Sequence, residues 1–137
     1  MFEKILLAVD GSAHSSKTVG VAVDLATRYG ANVTVLHVRE HEKFEGSDVD
    51  LGPVATAASL VDSVVTALTD AGLTAQAEIR RVPSGRAPQE IVAVAKEAGV
   101  GLIVMGARGW TEWKSLLVGG VANKVVTHAE CPVLLVR

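Results

Sequence analysis

The sequence predicts an α/β protein whose parallel central sheet is covered by helices on both faces. Short aliphatic runs alternate along the chain with stretches of helical periodicity, which is typical of β-α units joined by right-handed crossovers. In addition, 49% of the residues are hydrophobic but only 4% are aromatic. The core is therefore built mainly from Val, Leu, Ile and Ala, as in parallel sheets buried on both faces.

The first half of the chain contains two predicted strands. The aliphatic runs Ile5 to Val9 and Val33 to Val38 fit strands buried on both faces, and helical spacing fills the region from His14 to Gly30 between them. The segment from Glu40 to Gly52 then carries five carboxylates and two glycines. That composition predicts a mobile loop.

The second half of the chain continues the alternation. Polar residues alternate with apolar ones between Ala75 and Val82, which predicts an edge strand. In the last helix we expect Val121 to face inward with its apolar neighbours. The remaining predicted elements are a helix from Pro53 to Gly72, a helix with Pro88 in its first turn, a strand from Leu102 to Met105, a helix opened by Gly119 and Gly120, and a strand from Pro132 to Val136.

A glycine-rich loop follows the fourth predicted strand. Gly106 and Gly109 are followed after nine residues by Gly119 and Gly120, which open a helix. Glycines let the backbone approach an anion closely, and the N–H groups of a first helical turn point at negative charge. The spacing matches neither the Walker nor the dinucleotide pattern. It predicts a phosphate site, with a plain flexible connection as the alternative.

A second loop lies at the carboxyl end of the first predicted strand, at Asp10, Gly11 and Ser12. In open α/β sheets ligands bind outside the carboxyl ends of the strands, where the strand order reverses. If strands one and four are neighbours, this loop and the glycine loop face one cleft. Asp10 then contacts a nucleotide, or it serves only as a turn or capping residue.

Composition and charge exclude several classes of function. The net charge of −2 leaves no basic stripe for nucleic acid, and no apolar run approaches the ~18 residues of a membrane span. Cys131 is the only cysteine and the N-terminus lacks the pattern of a signal peptide, so we expect a cytoplasmic protein. The four histidines form no metal-binding pair. Of these, His37 is expected to be a satisfied core or interface side chain.

Over its whole length the chain resembles the universal stress protein family. The similarity is carried by ILLAVDGS, SGRAPQEI, LIVMGARG and CPVLLVR. Nucleotide-binding members carry G-x-x-G, nine residues and then G-[ST], and Gly120 stands here at the hydroxyl position. One hydrogen bond is worth roughly 0.5–1.5 kcal/mol, and about twice that to a charged acceptor. Binding is therefore expected to be weakened by this change and not abolished.

The resemblance implies one domain over residues 1–137, with a five-stranded parallel sheet of order 3-2-1-4-5 like that of adenine nucleotide α-hydrolases. It also implies that ATP, with Mg²⁺, binds across the carboxyl edge. Asp10, beside Gly11 and Ser12, would contact ribose or adenine, and Val38 and Met105 would flank the base. The phosphate and ribose path would be lined by Gly106, Arg108, Gly109, Gly119, Gly120 and Val121.

The resemblance further implies a homodimer formed through the last strand, and the apolar PVLLV edge independently favours a partner there. The first hypothesis is thus an ATP-binding regulator of the stress response with at most slow hydrolysis. The alternative is a nucleotide-free dimeric module of the same fold that binds a protein partner. A third, an enzyme of the nucleotide α-hydrolase type, is disfavoured because its S-G-G-x-D-S loop is replaced by VDGSAHS.

Overall fold

The computed structural model describes residues 1–11, 15–51, 54–107 and 120–137. Within these ranges β-strands and α-helices alternate as predicted. The strands are β1 (Lys4–Ala8), β2 (Asn32–Phe44), β3 (Ser47–Asp50), β4 (Ala75–Pro83), β5 (Leu102–Gly106) and β6 (Val133–Val136). The helices are α1 (Ser15–Tyr29), α2 (Val54–Asp70), α3 (Ala87–Ala98) and α4 (Gly120–His128).

Five strands run parallel in the order β4-β2-β1-β5-β6. β4, β5 and β6 correspond to the third, fourth and fifth predicted strands. In that numbering the observed order is the expected 3-2-1-4-5. β1 lies at the centre, where Ile5 pairs with both Val33 of β2 and Leu102 of β5. The chain builds outward from β1 on one side and then returns to add β5 and β6 on the other. The order therefore reverses between β1 and β5, which is the position where such sheets bind ligands.

The prediction of an entirely parallel sheet is wrong at one place, because β3 is a sixth strand that pairs antiparallel with β2. The predicted mobile loop contains the end of β2 from Glu40 to Phe44, all of β3 and the turn between them. Glu45 and Gly46 form this two-residue turn with φ of 50° and 80°. Positive φ at both positions is the type I′ geometry that joins twisted hairpin strands. The acidic composition of this segment is typical of a loop, and Gly46 is the one residue that locally indicates the turn of a hairpin.

The core consists of two clusters, one on each face of the sheet. Ile5 and Leu7 belong to the cluster that includes Ala22 of α1 and Val61 of α2. Leu6 belongs to the cluster that includes residues of α3 and α4. Successive residues of a strand point to opposite faces, so β1 supplies both clusters. The expected inward position of Val121 is wrong, because its exposure is 42% and α4 buries Ala122 and Val125 instead.

β4 is a polar strand whose pairing within the described ranges is to β2, which confirms the predicted edge strand. Its Arg80 guanidinium lies 2.8, 3.2 and 3.0 Å from the carboxylates of Glu78, Glu90 and Glu97. Two of these carboxylates belong to α3. The cluster therefore ties the edge strand to the helix that covers it.

Candidate functional site

Three neighbouring strands bring predicted site residues to one edge of the sheet. Ala8 of β1 pairs with Leu36 of β2 and with Met105 of β5. Asp10 and Gly11 follow β1, and Val38 and Gly106 lie one or two residues beyond those pairs. The expected adjacency of the first and fourth predicted strands is confirmed, and their carboxyl ends share one edge.

Two of the predicted site residues, Val38 and Met105, also lie on the same side of the sheet as α4. Val38 packs against the cluster that includes Met105, Ala122 and Val125. α4 begins at Gly120, which is exposed. Because α4 leads into a parallel strand, its N-terminal end lies at the carboxyl edge. A ligand at this edge therefore lies close to the N-terminal end of α4, where the partial positive charge of the helix dipole is located.

Two of the predicted glycines differ in how their backbones are used. Gly11 has φ of 78°, a conformation in which β1 leaves the sheet and which a side chain would strain. Gly106 is the last residue of β5 and pairs with Val136, so it contributes small size rather than an unusual backbone. The predicted site residues Ser12, Arg108, Gly109 and Gly119 lie outside the described residues.

β1 and β3 lie end to end along one edge of β2. His41 pairs with Asp50 of β3 and with Pro83 of β4, so those two strands occupy opposite edges of β2. Val33 likewise pairs with Ile5 of β1 and with Ala75 of β4. β3 must therefore share the edge that β1 occupies, beyond the point where β1 ends.

The two strands leave a gap between them, which we call the β1–β3 gap. At the β1 end of the gap the Val9 N–H donates to the Leu36 carbonyl at 2.9 Å. At the β3 end the Leu51 N–H donates to the Glu40 carbonyl at 2.8 Å. Residues 37–39 lie between, about 10 Å of strand at 3.3 Å per residue. Alternate residues direct their backbone groups to the same edge, so the N–H and C=O of Val38 point into the gap. Among the described residues the register of β1 ends at Leu36 and that of β3 begins at His41, so neither strand pairs with Val38.

His37 lies beside this gap and contacts the end of β1. Its Nδ1 is 2.7 Å from the Val9 carbonyl oxygen. A carbonyl only accepts, so Nδ1 carries the hydrogen and donates. The prediction of a satisfied histidine is confirmed, and the partner is a backbone group that β1 would otherwise offer to β2.

One side of the hairpin of β2 and β3 carries a cluster of ion pairs centred on Asp50. The Asp50 carboxylate accepts a hydrogen bond from Arg81 Nε at 2.7 Å and lies 3.1 Å from an Arg39 nitrogen. These contacts join β3, β2 and β4. Leu51, the residue after Asp50, lies opposite Glu40 of β2, so its side chain faces the other side of the hairpin. It is 47% exposed at the β3 end of the gap.

The Asp50 cluster predicts a pH-dependent stability. The hydrogen bond from Arg81 holds the pKa of the Asp50 carboxyl below its ordinary value of 3.8, and the charges of Arg81, Arg39 and His41 act in the same direction. The cluster therefore stabilises the fold above pH 3.8 and loses this effect as the pH falls through the lowered pKa. We expect Asp50→Asn to lower Tm at neutral pH and to approach wild type in acid.

Circular dichroism melts across this pH range test the prediction. Asp24→Asn is the matched control, because Asp24 forms an ion pair with Arg28 on the exposed face of α1, and such pairs contribute little. A difference between wild type and Asp50→Asn that does not change with pH would contradict the assigned charge interaction.

Together these features define a class of protein: an open-sheet α/β protein whose strand-end loops, open backbone groups of β2 and the N-terminal end of α4 share the carboxyl edge of the sheet. The chain belongs to the universal stress protein family, whose model matches residues 1–137. It is 35% identical over 150 residues to universal stress protein YxiE of Bacillus subtilis, with all of both chains covered. A universal stress protein of Thermus aquaticus is 36% identical over 144 residues, again with 100% coverage of both.

Solved structures show the same fold. A universal stress protein from Archaeoglobus fulgidus matches with a TM-score of 0.78 at 23% identity, covering 100% of both chains. The Archaeoglobus fulgidus complex with dAMP matches at 0.74 and 22% identity, covering 99% of this chain and 98% of that one. An Arabidopsis thaliana family protein with AMP bound matches at 0.71 and 20% identity, with coverage of 97% and 90%. Among the helices in the described ranges, none is long and apolar enough to cross a membrane.

Proposed function

We propose that this protein binds an adenine nucleotide at the β1–β3 gap and acts as a cytoplasmic regulator of the stress response, with little or no turnover. The observation that carries the proposal is the pair of Val38 backbone groups directed into the gap. Adenine presents an amino donor beside a ring-nitrogen acceptor. A neighbouring C=O and N–H are complementary to that edge. The dAMP and AMP bound by proteins of the same fold support this choice of ligand.

The rest of the nucleotide would extend along the carboxyl edge. Asp10 is exposed at the end of β1, where its carboxylate can accept hydrogen bonds from ribose hydroxyls or the adenine amino group. The side chains of Val38 and Met105 would flank the base. The phosphates would lie toward Gly120 and Val121 at the start of α4, together with Gly106 and the sequence-predicted Arg108, Gly109 and Gly119.

ATP is the ligand expected from the family pattern, with Mg²⁺ accompanying its phosphates. Among the residues that the structure describes, no three His, Cys, Asp or Glu side chains are grouped to hold a metal ion. Mg²⁺ commonly keeps several waters and binds through substrate phosphates with one or two carboxylates. We therefore propose that Mg²⁺ enters with the nucleotide and does not occupy a separate protein site.

We also propose a homodimer formed through β6. This strand pairs with β5, and Leu134 on it is 37% exposed. A second copy would cover its outer edge. The alternative function, a nucleotide-free dimeric module that binds a protein partner, is favoured by one observation, the glycine at position 120 in place of a hydroxyl residue.

The test is the thermal midpoint with and without AMP and Mg²⁺-ATP, for wild type and for Gly109→Val. A ligand at a hundred times its Kd adds ~2.7 kcal/mol, which raises Tm by several degrees for a chain of this size. We expect wild type to show this shift and Gly109→Val to lose it, since a side chain there would block close approach of phosphate.

Gly20→Ala is the matched glycine control. Gly20 is an exposed residue of α1, and a Cβ added there meets nothing within 4 Å. This variant should retain the full shift. No shift for wild type at millimolar nucleotide would contradict nucleotide binding and favour the interaction module.

A further inference from the structure

We propose that His37 is a positioning residue that keeps the β1–β3 gap open for the base by binding the carbonyl of Val9. The inference rests on the proposed function for the identity of the ligand. The contact of His37 with the residue that follows β1 does not depend on that ligand. The distance of 2.7 Å between His37 Nδ1 and Val9 O is the observation that carries it.

The register of β1 and β2 shows which bond His37 replaces. Ala8 pairs with Leu36, and the Val9 N–H donates to the Leu36 carbonyl at 2.9 Å. In a parallel ladder the next bond would run from the Val38 N–H to the Val9 carbonyl. The imidazole of His37 donates to that carbonyl instead. The ladder therefore ends one bond early, and the Val38 N–H remains directed into the gap.

The Val9 carbonyl needs a donor because an unpaired buried backbone group is costly. Val9 is only 5% exposed, and a buried carbonyl without a partner costs about as much as a lost hydrogen bond. Two donors can satisfy it, the Val38 N–H or a side chain. Because His37 is adjacent to Val38 and faces the opposite side of the sheet, it supplies the donor without entering the side where Val38 packs.

Two kinds of substitution separate this role from simple packing. His37→Leu has no donor, and the Val9 carbonyl then recruits the Val38 N–H and closes the gap. His37→Asn places an amide N–H near the position of Nδ1–H and should restore the bond. His37→Phe is a second donor-free variant, which keeps the test open if His37→Leu does not fold.

The first readout is hydrogen exchange of the Val38 amide, measured by NMR without nucleotide. We expect rapid exchange in wild type and in His37→Asn, and roughly threefold to tenfold slower exchange in the donor-free variants, as for the gain of one hydrogen bond. The second readout is AMP affinity by calorimetry, which should fall by a similar factor in the donor-free variants and be restored in His37→Asn.

His128→Leu is the matched control, because His128 makes the same kind of contact, with Nδ1 2.8 Å from the Lys124 carbonyl, on the exposed surface of α4. It should change neither readout. Unchanged Val38 exchange in the donor-free variants would overturn the role of His37, as would an AMP affinity equal to that of wild type. If wild type binds no AMP, the proposed function fails, and the exchange measurement alone decides whether His37 separates the strands.

Discussion

Ile103→Ala is expected to lower the free energy of unfolding by about 2–5 kcal/mol. Ile103 lies in β5 with 0% exposure and pairs with Leu6 of β1, which is also fully buried. Both side chains belong to the cluster beneath α3 and α4. Removing three carbons there leaves a cavity that close-packed strands and helices cannot refill. Urea denaturation followed by circular dichroism gives the measurement.

Ile79→Ala provides the matched isoleucine control. Ile79 is 41% exposed on the edge strand β4, so its truncation removes contacts on one side and leaves no enclosed cavity. The loss should be well under half of that for Ile103→Ala. Equal losses for the two variants would contradict the assignment of β5 to the buried centre of the sheet.

Asp10→Ala is expected to weaken AMP binding by about 10- to 100-fold. A hydrogen bond to a charged group contributes ~1.5–3 kcal/mol, and each 1.4 kcal/mol is a factor of ten in affinity. Asp10 is the carboxylate that follows the central strand at the edge where Val38 and Met105 also lie. Calorimetric titration with AMP provides the measurement.

Asp24→Ala serves as the control for this titration, because Asp24 is an exposed carboxylate on α1 that pairs with Arg28. It should bind AMP as wild type does, and melts of both variants establish that they are folded. If Asp10→Ala binds AMP with unchanged affinity while wild type binds normally, Asp10 is a turn or capping residue only.

The parts of the fold that local sequence determines were predicted correctly. The aliphatic runs Ile5 to Val9 and Leu102 to Met105 are largely buried on both faces of the sheet, so their composition identifies the central strands. The polar alternation around Arg80 likewise identifies an edge. The family pattern then supplied the strand order, which pairing between β1 and β5 confirms.

The hairpin of β2 and β3 was missed because its stability comes from residues far apart in the chain. Asp50 is 31 residues from Arg81, and their hydrogen bond forms only after β4 has paired with β2. Read locally, the same carboxylates indicate a solvated loop. The exposed position of Val121 was missed for a related reason, since helical spacing identifies an apolar residue without specifying how far the neighbouring elements extend over it.

By itself the sequence determined the α/β class, the central and edge strands, and the loops at the carboxyl edge. Burial on one or both faces of an element determines the spacing of its apolar residues, and that spacing can be read from the chain. Only the tertiary structure decided that β3 shares an edge of β2 with β1, that a gap separates them, and that His37 takes the Val9 carbonyl. Those features depend on which backbone groups meet across strands. Side-chain patterns do not encode that pairing, since every residue except proline carries the same backbone donor and acceptor.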